Sequence, residues 1–452
     1  MSTTTPTHAA GTSPRRVATA SLIGTTVEYY DFFIYGTAAA LVFPKLFFPE
    51  ATPLMGALLS FATFGVGFLA RPLGGVVFGH FGDRVGRKKM LVISLVGMGA
   101  ATCLMGLLPT YAQIGIMAPI LLTVLRLFQG FMVGGEWGGA VLMAVEHAPP
   151  GKRGFYGAFP QTGAPAGVAL ATVAFLTVAQ MPDAAFLAWG WRIPFLVSAV
   201  LVGVGLFIRL TIAESPAFAA AREKQELVKM PLAEAFRHHR KEIFLIAGTY
   251  LSQGVFAYIS MSYLVNYGTT VAGITRTQAL TGVAASAVIA VVLYPVFGSL
   301  SDRIGRKTVY LIGAVAMGVT IWPAFALVNT GNPWLFMLAL VLVFGLAMSP
   351  AGGATGSLFS MVFSREVRYT GSSVGYTISQ IAGSAFAPMI ATALLASTGT
   401  SDSIVIYMVI ISVISAASVA LLPGGWGRKE AARQLQQADA DTAPVSPSPL
   451  GA

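Results

Sequence analysis

The stretch "GHFGDRVGRKK", residues 79–89, returns as "GSLSDRIGRKT" at 298–308, a displacement of 219 residues. Both copies are short polar breaks between long apolar runs, so what repeats is larger than the motif. The same shift carries Gln161 onto Gln380. Working outward from the two copies, each apolar run is close to the roughly 20 residues that cross about 30 Å of hydrocarbon as a helix. Continuous runs without alternation argue against a β-barrel. The runs fall near 17–43, 54–79, 90–108, 115–147, 155–180 and 191–213. A second set falls near 241–267, 277–299, 308–328, 334–363, 372–397 and 403–423. The expected fold is an all-α membrane protein of twelve spans, two six-helix bundles related by a pseudo-twofold axis.

Composition agrees. Of the 452 residues, 55% are hydrophobic and 10% charged, where soluble chains carry about 25% charge. The 50 glycines and 25 prolines suit close helix packing and hinges in a bilayer. Cys103 is the single cysteine, which excludes an internal disulfide and a thiolate metal cluster. The net charge of +10 does not indicate nucleic acid, because the basic residues form short clusters between spans. Of these, 23 lie in loops on one side and 3 on the other, Lys45, Arg192 and Arg276, with Arg71 and Arg126 left inside spans. The positive-inside rule assigns both termini and the central loop to the cytoplasm. The paired arginines at 15–16 precede a run too long for an export signal, so a retained first helix is expected. Residues 1–16 are expected to form a cytoplasmic tail, 214–240 a charged linker between bundles 17–213 and 241–423, and 424–452 a disordered tail. Phosphate-loop and His-Glu-x-x-His signatures are absent, and no enzyme activity, metal or cofactor is expected.

A parallel repeat of this kind belongs to transporters whose binding site lies between the halves near the midplane. Gly79, Asp83, Arg84, Gly86, Arg87 and Lys88, with their repeat at Gly298, Asp302, Arg303, Gly305, Arg306 and Lys307, resemble the loop signature of the major facilitator superfamily. "RLFQG" at 126–130 looks like its Arg-x-x-Gln-Gly motif. "VEYYDFFIYGTAAALVF", "FLARPLGGVVFGHFGDR", "GGEWGGAVLMAVEHAP" and "WGWRIPFL" are similar to the bacterial metabolite:proton symporter family, in its shikimate transporter branch, where Glu28 stands in place of an aspartate. The resemblance implies alternating access and uptake of a small organic anion or zwitterion with a proton, by a monomer in a lipid bilayer. A proton-coupled exporter or antiporter, or a proline/betaine-type symporter, is the alternative on the same fold.

An ionised carboxylate in hydrocarbon costs about 2.5–3.5 kcal/mol on the lenient insertion scale. The acids within spans are Glu28, Asp31 and Glu136. A spacing of three places Glu28 and Asp31 on one face, where repulsion and desolvation favour keeping a proton on at least one. Both are candidate proton carriers, with Glu136 third. Tyr29 and Tyr30 offer hydroxyls. Arg71 and Arg126 stay charged and each needs a carboxylate, from the protein or from a substrate. An anion docking there would release Asp31 or Glu28 to take a proton. A purely structural reading pairs the acids with these arginines. The second half has no charge in mid-span and offers Gln253, Tyr376 and Gln380, the last equivalent to Gln161. Asp83, Arg84, Arg87, Asp302, Arg303 and Arg306 are expected at the cytoplasmic gate, an acid facing a helix N-terminus.

Overall fold

The computed structural model describes residues 13–85, 87–134, 137–211, 237–363 and 368–423. Twelve spans occur in order. The first six are α1 Pro14–Leu41, α2 Pro53–Val85, α3 Arg87–Leu107, α4 Met117–Val133 continued by Trp137–Glu146, α5 Arg153–Ala179 and α6 Arg192–Thr211. The second six start with α7, Arg240–Tyr258 passing through Ile259–Tyr263 into Leu264–Thr270, then α8 Arg276–Ile304 and α9 Arg306–Val328. They end with α10, Pro333–Leu340 through Val341–Ala347 to Ser349–Phe359, α11, Arg368–Ser379 through Gln380–Ser384 to Ala387–Thr398, and α12 Asp402–Leu421.

The helix ends follow from local chemistry. Ser13 caps α1 with Pro14 at its first position, so residues 14–16, expected in the tail, already form helix. Thr275 and Gln278 form a reciprocal capping box at the start of α8, with the Thr275 N–H donating to Gln278 Oε1 at 3.0 Å. Gly305, with φ at +97°, turns the chain between α8 and α9, which explains the glycine in the repeated motif. Among the described residues, eight helices are long and apolar enough to cross a membrane, nine if the bent pair Asp183–Gly190 and Arg192–Phe207 is one span. α1 is not among them; its Glu28 and Asp31 are both buried in protein. The linker and C-terminal tail expectations fall, apart from residues 237–240, outside the described residues.

Contacts between the halves come in related pairs: α5 against α8 and α2 against α11, α5 against α10 and α4 against α11, with α1 meeting α7 at the centre. This is the pattern that a repeated six-helix unit gives when its copies face each other. Large apolar side chains such as Leu73, Val200, Phe207, Val319 and Trp334 point outward, as a lipid-facing belt requires.

Candidate functional site

The site grows from Phe32 at the middle of α1. Its ring lies between two cations, with the Arg126 guanidinium 4.0 Å and the Arg71 guanidinium 4.2 Å from its centroid. Arg126 also lies over Tyr35 and Arg71 over Phe68. Two glycines make this possible. A Cβ on Gly67 would meet Arg126 Nε at 2.8 Å, and one on Gly130 would collide with the Gly67 carbonyl, so α2 and α4 cross backbone to backbone. The ion pairs among the described residues are His239–Glu242, Arg276–Asp183 and Arg306–Asp302. None of these pairs among the described residues involves Arg71, Arg126 or Asp31. Arg71 Nε and Arg126 Nε and Nη2 have no hydrogen-bond partner. A buried guanidinium left so incompletely paired costs several kcal/mol, which an anion would offset.

Asp31 is fully buried and faces the interior of its own bundle. Its Oδ2 accepts from Thr102 Oγ1 of α3 at 3.0 Å and its Oδ1 from Ser198 Oγ of α6 at 2.5 Å. Glu28, one turn away, is buried and within electrostatic reach of Asp31 and of Tyr258 and Tyr376 across the bundle interface. The two acids thus look in different directions, because residues three apart on a helix differ by about 60°. Glu136 lies outside the described residues.

Between the halves is a cavity of about 20 Å³, whose lining includes Tyr29, Phe33, Gln161, Tyr250, Gln253 and Gln380. Between the halves Tyr29 and Tyr376 share a hydroxyl hydrogen bond of 2.8 Å, and Gln380 Nε2 donates to Tyr376 at 2.7 Å. Gln253 Oε1 accepts from Thr355 at 2.8 Å. Gln161 Nε2 and Gln380 Oε1 are buried without partners. Arg71, Arg126 and Asp31 do not line the cavity, since Phe64, Phe68 and Tyr258 form a wall of touching rings before them. Tyr30 does not reach it either. Its hydroxyl donates to the Pro194 carbonyl at 2.7 Å, because its neighbour Tyr29 already faces the other bundle and successive helical residues point about 100° apart.

At the basic-loop end Asp302 bridges the halves, its oxygens accepting from the backbone N–H groups of Gly154 at 2.7 Å and Phe155 at 3.0 Å. An acid of one half thus caps the first turn of a helix in the other. Arg306 donates to the same carboxylate at 3.3 Å, while Arg303 is exposed. The side chains of Asp83, Arg84 and Arg87 lie outside the described residues. The opposite end is clasped by Arg276, which sequence reasoning counted only as a loop charge. It donates to the Ala179 carbonyl at 2.8 Å and to Asp183 at 3.1 Å, and lies over Phe186 at 3.9 Å. Both sets of contacts tie α8 to α5 or to the residues that follow it.

Sequence reasoning also missed Thr102 and Ser198, for hydroxyls in apolar helices are too common to stand out. Gly371, Ser373 and Gly375 reproduce the spacing of a hydrolase nucleophile elbow, but they lie inside α11 rather than on a strand-to-helix turn.

Residues 17–239 match the model of the sugar (and other) transporter family and residues 269–451 that of the major facilitator superfamily. The chain is 43% identical to the inner membrane metabolite transport protein YhjE of Escherichia coli, over 84% of this chain and 87% of that one. It is 40% identical to the shikimate transporter of the same organism, over 90% and 94%. The proton:xylose symporter XylE shares the fold, with a TM-score of 0.70 at 18% identity over 91% and 96% of the two chains. The chain therefore belongs to the major facilitator superfamily, as a multi-pass membrane transporter rather than an enzyme, beside the metabolite transport proteins and the shikimate transporter.

Proposed function

We propose that the protein imports a small organic carboxylate, shikimate-like in size and polarity, together with a proton. The observation that carries this is the pair of buried guanidiniums, Arg71 and Arg126, with Arg71 Nε and Arg126 Nε and Nη2 unpaired and no ion pair to either among the described residues. A transported anion supplies the missing charge, and its polar groups meet Gln161, Gln253, Tyr376 and Gln380 of the facing walls. The proton rides on Asp31 or Glu28. For a monovalent anion with one proton the moved charge is zero, so the pH gradient alone drives uptake; each further proton adds about 2.3 kcal/mol per 100 mV.

A cavity of about 20 Å³ has room for about one water, so the described conformation is occluded. Loading requires α5 and α8 to part at one end while the other holds, as in rigid-body alternating access. The loop charges support an inner-membrane location with both termini in the cytoplasm, so Asp302 would hold the inner gate and Arg276 the outer one.

A second reading has its own support. Aromatic rings line part of the cavity, Tyr29, Phe33, Tyr250 and Tyr258 among them, and such rings also receive quaternary ammonium groups. A betaine-like zwitterion would then be the load. Uptake into proteoliposomes with an acid or a neutral exterior, across shikimate, 2-oxoglutarate, citrate, benzoate and betaine, decides between them. Accumulation of a carboxylate only under an acid exterior is the expected result; accumulation of betaine alone would establish the second reading, and indifference to the pH gradient would remove the proton.

A further inference from the structure

A continuous line of hydrogen bonds joins the buried cation to the buried acid. Arg126 Nη1 donates to Gln129 Oε1 at 2.5 Å, Gln129 Nε2 donates to Thr102 Oγ1 at 2.8 Å, and Thr102 Oγ1 donates to Asp31 Oδ2 at 3.0 Å. Every donor in the line points from guanidinium to carboxylate. A head-to-tail chain of this polarity strengthens each of its bonds through the others and favours positive charge at one end and negative at the other.

We infer that Gln129 and Thr102 are positioning residues that couple substrate occupancy at Arg126 to proton occupancy at Asp31. This rests on the proton-symport reading. Without a load, Arg126 polarises the Gln129 amide, which polarises the Thr102 hydroxyl, which stabilises the Asp31 carboxylate. An anion that takes the Arg126 Nη1 donor removes the head of the line, the carboxylate loses support, and Asp31 takes a proton from water on the side then open. Thr102 has two resting places for its hydrogen, since its oxygen is 3.0 Å from Asp31 Oδ2 and 3.0 Å from the Met98 carbonyl. With Asp31 ionised, Thr102 donates to it. With Asp31 protonated at Oδ2, that O–H donates back to Thr102, whose own hydrogen turns to Met98. The hydroxyl is satisfied in both states, which makes it a two-position switch.

Among the described residues, this line is the hydrogen-bonded link from Asp31 to Arg126. From its own helix it faces Glu28 and Tyr30, from α3 Cys103, from α4 Arg126 and from α6 the neutral Ser198. Arg71 of α2 lies against Phe32, the ring that Arg126 also covers. α5, packed along α1, has its titratable groups Arg153 and Tyr156 at its first turn, away from the centre. Across the bundle interface, Tyr258 of α7 is turned to Glu28 and the two arginines. No nitrogen of Arg126 lies within 4.0 Å of an Asp31 oxygen, so the coupling runs through the two neutral side chains.

The test compares wild type with Thr102→Val, Thr102→Ser and Gln129→Leu in proteoliposomes, using radiolabelled shikimate. Expected is wild-type exchange at equal pH for all variants. In Thr102→Val and Gln129→Leu, the accumulation driven by a one-unit acid exterior, about tenfold for one proton, should be lost. Thr102→Ser, which keeps the hydroxyl, should restore it. Accumulation intact in Thr102→Val, or Thr102→Ser as impaired as Thr102→Val, would overturn the relay and leave the symport reading standing. Wild type that accumulates no acid would overturn the symport reading instead. The relay is then judged in purified protein by the infrared carbonyl band of protonated Asp31, assigned by its loss in Asp31→Asn. Its titration midpoint should move by about one pH unit in Gln129→Leu, and a midpoint that stays put overturns the relay whatever the transport result.

Discussion

The two halves descend from one repeated unit and have divided the work. In the first half α1 and α5 run as unbroken α-helix, α5 despite Pro160 and Pro165, and the buried centre carries Asp31, Glu28, Arg71 and Arg126. In the second half α7, α10 and α11 each pass through a π-helical segment, at Ile259–Tyr263, Val341–Ala347 and Gln380–Ser384, and the buried polar groups are neutral. The displacement that carries Gly79 onto Gly298 carries Arg71 onto Ala290, a buried residue with nothing to ionise. Charge is thus confined to a regular scaffold that holds it in register. Two of these wider turns, a form frequent at functional sites, reach the cavity through Phe344 and Gln380, whereas the π-helical segment described in the first half, Phe186–Gly190, lies ahead of α6 and away from the cavity lining. A pseudo-twofold axis relates the backbones without relating the chemistry.

The largest expected effect tests the charged half. Arg126→Gln should weaken binding of the transported acid by about 100-fold, the loss typical of removing one partner of a buried charge contact, measured by equilibrium binding in detergent. Undiminished affinity would move the anion site out of the first half. Asp31→Asn should abolish pH-driven accumulation, about tenfold per pH unit for one proton, while exchange at equal pH persists; retained accumulation would hand the proton to Glu28. In the neutral half, Gln380→Ala should raise KM by about fivefold, one neutral hydrogen bond, with little change in Vmax. An effect as large as that of Arg126→Gln would erase the contrast between the halves. The smallest effect belongs to the gate. On a Cys103→Ser background, Asp302→Asn should speed alkylation of a cysteine placed at Ala158 by about threefold, the scale of a charge at a helix end. An unchanged rate means the cap on Gly154 and Phe155 does not hold α5 to α8.

Much of the architecture was legible in advance. The apolar runs located all twelve spans to within a few residues, since hydrophobicity adds up along the chain and needs no partner. The repeated motif named Asp302 as an acid facing a helix end, and its two backbone donors at Gly154 and Phe155 have the geometry that motif implied. Side-chain company was not legible. Tyr29 and Tyr30 are equal as letters, yet one meets Tyr376 of the other bundle and its neighbour meets Pro194 of its own. Arg276 read as a stray loop charge until the fold set it over the last turn of α5.

By itself, then, the sequence determined where the chain enters and leaves the bilayer, that one unit is used twice, and which few residues carry a charge that hydrocarbon would not tolerate. Only the tertiary structure decided that the two buried arginines share Phe32, and that Thr102 lies between Asp31 and Gln129. The physical reason is range. Transfer from water to lipid is a property of each segment alone, whereas the contact between Asp31 and Thr102 spans 71 positions of chain and exists only once three helices have packed at fixed rotations about their axes.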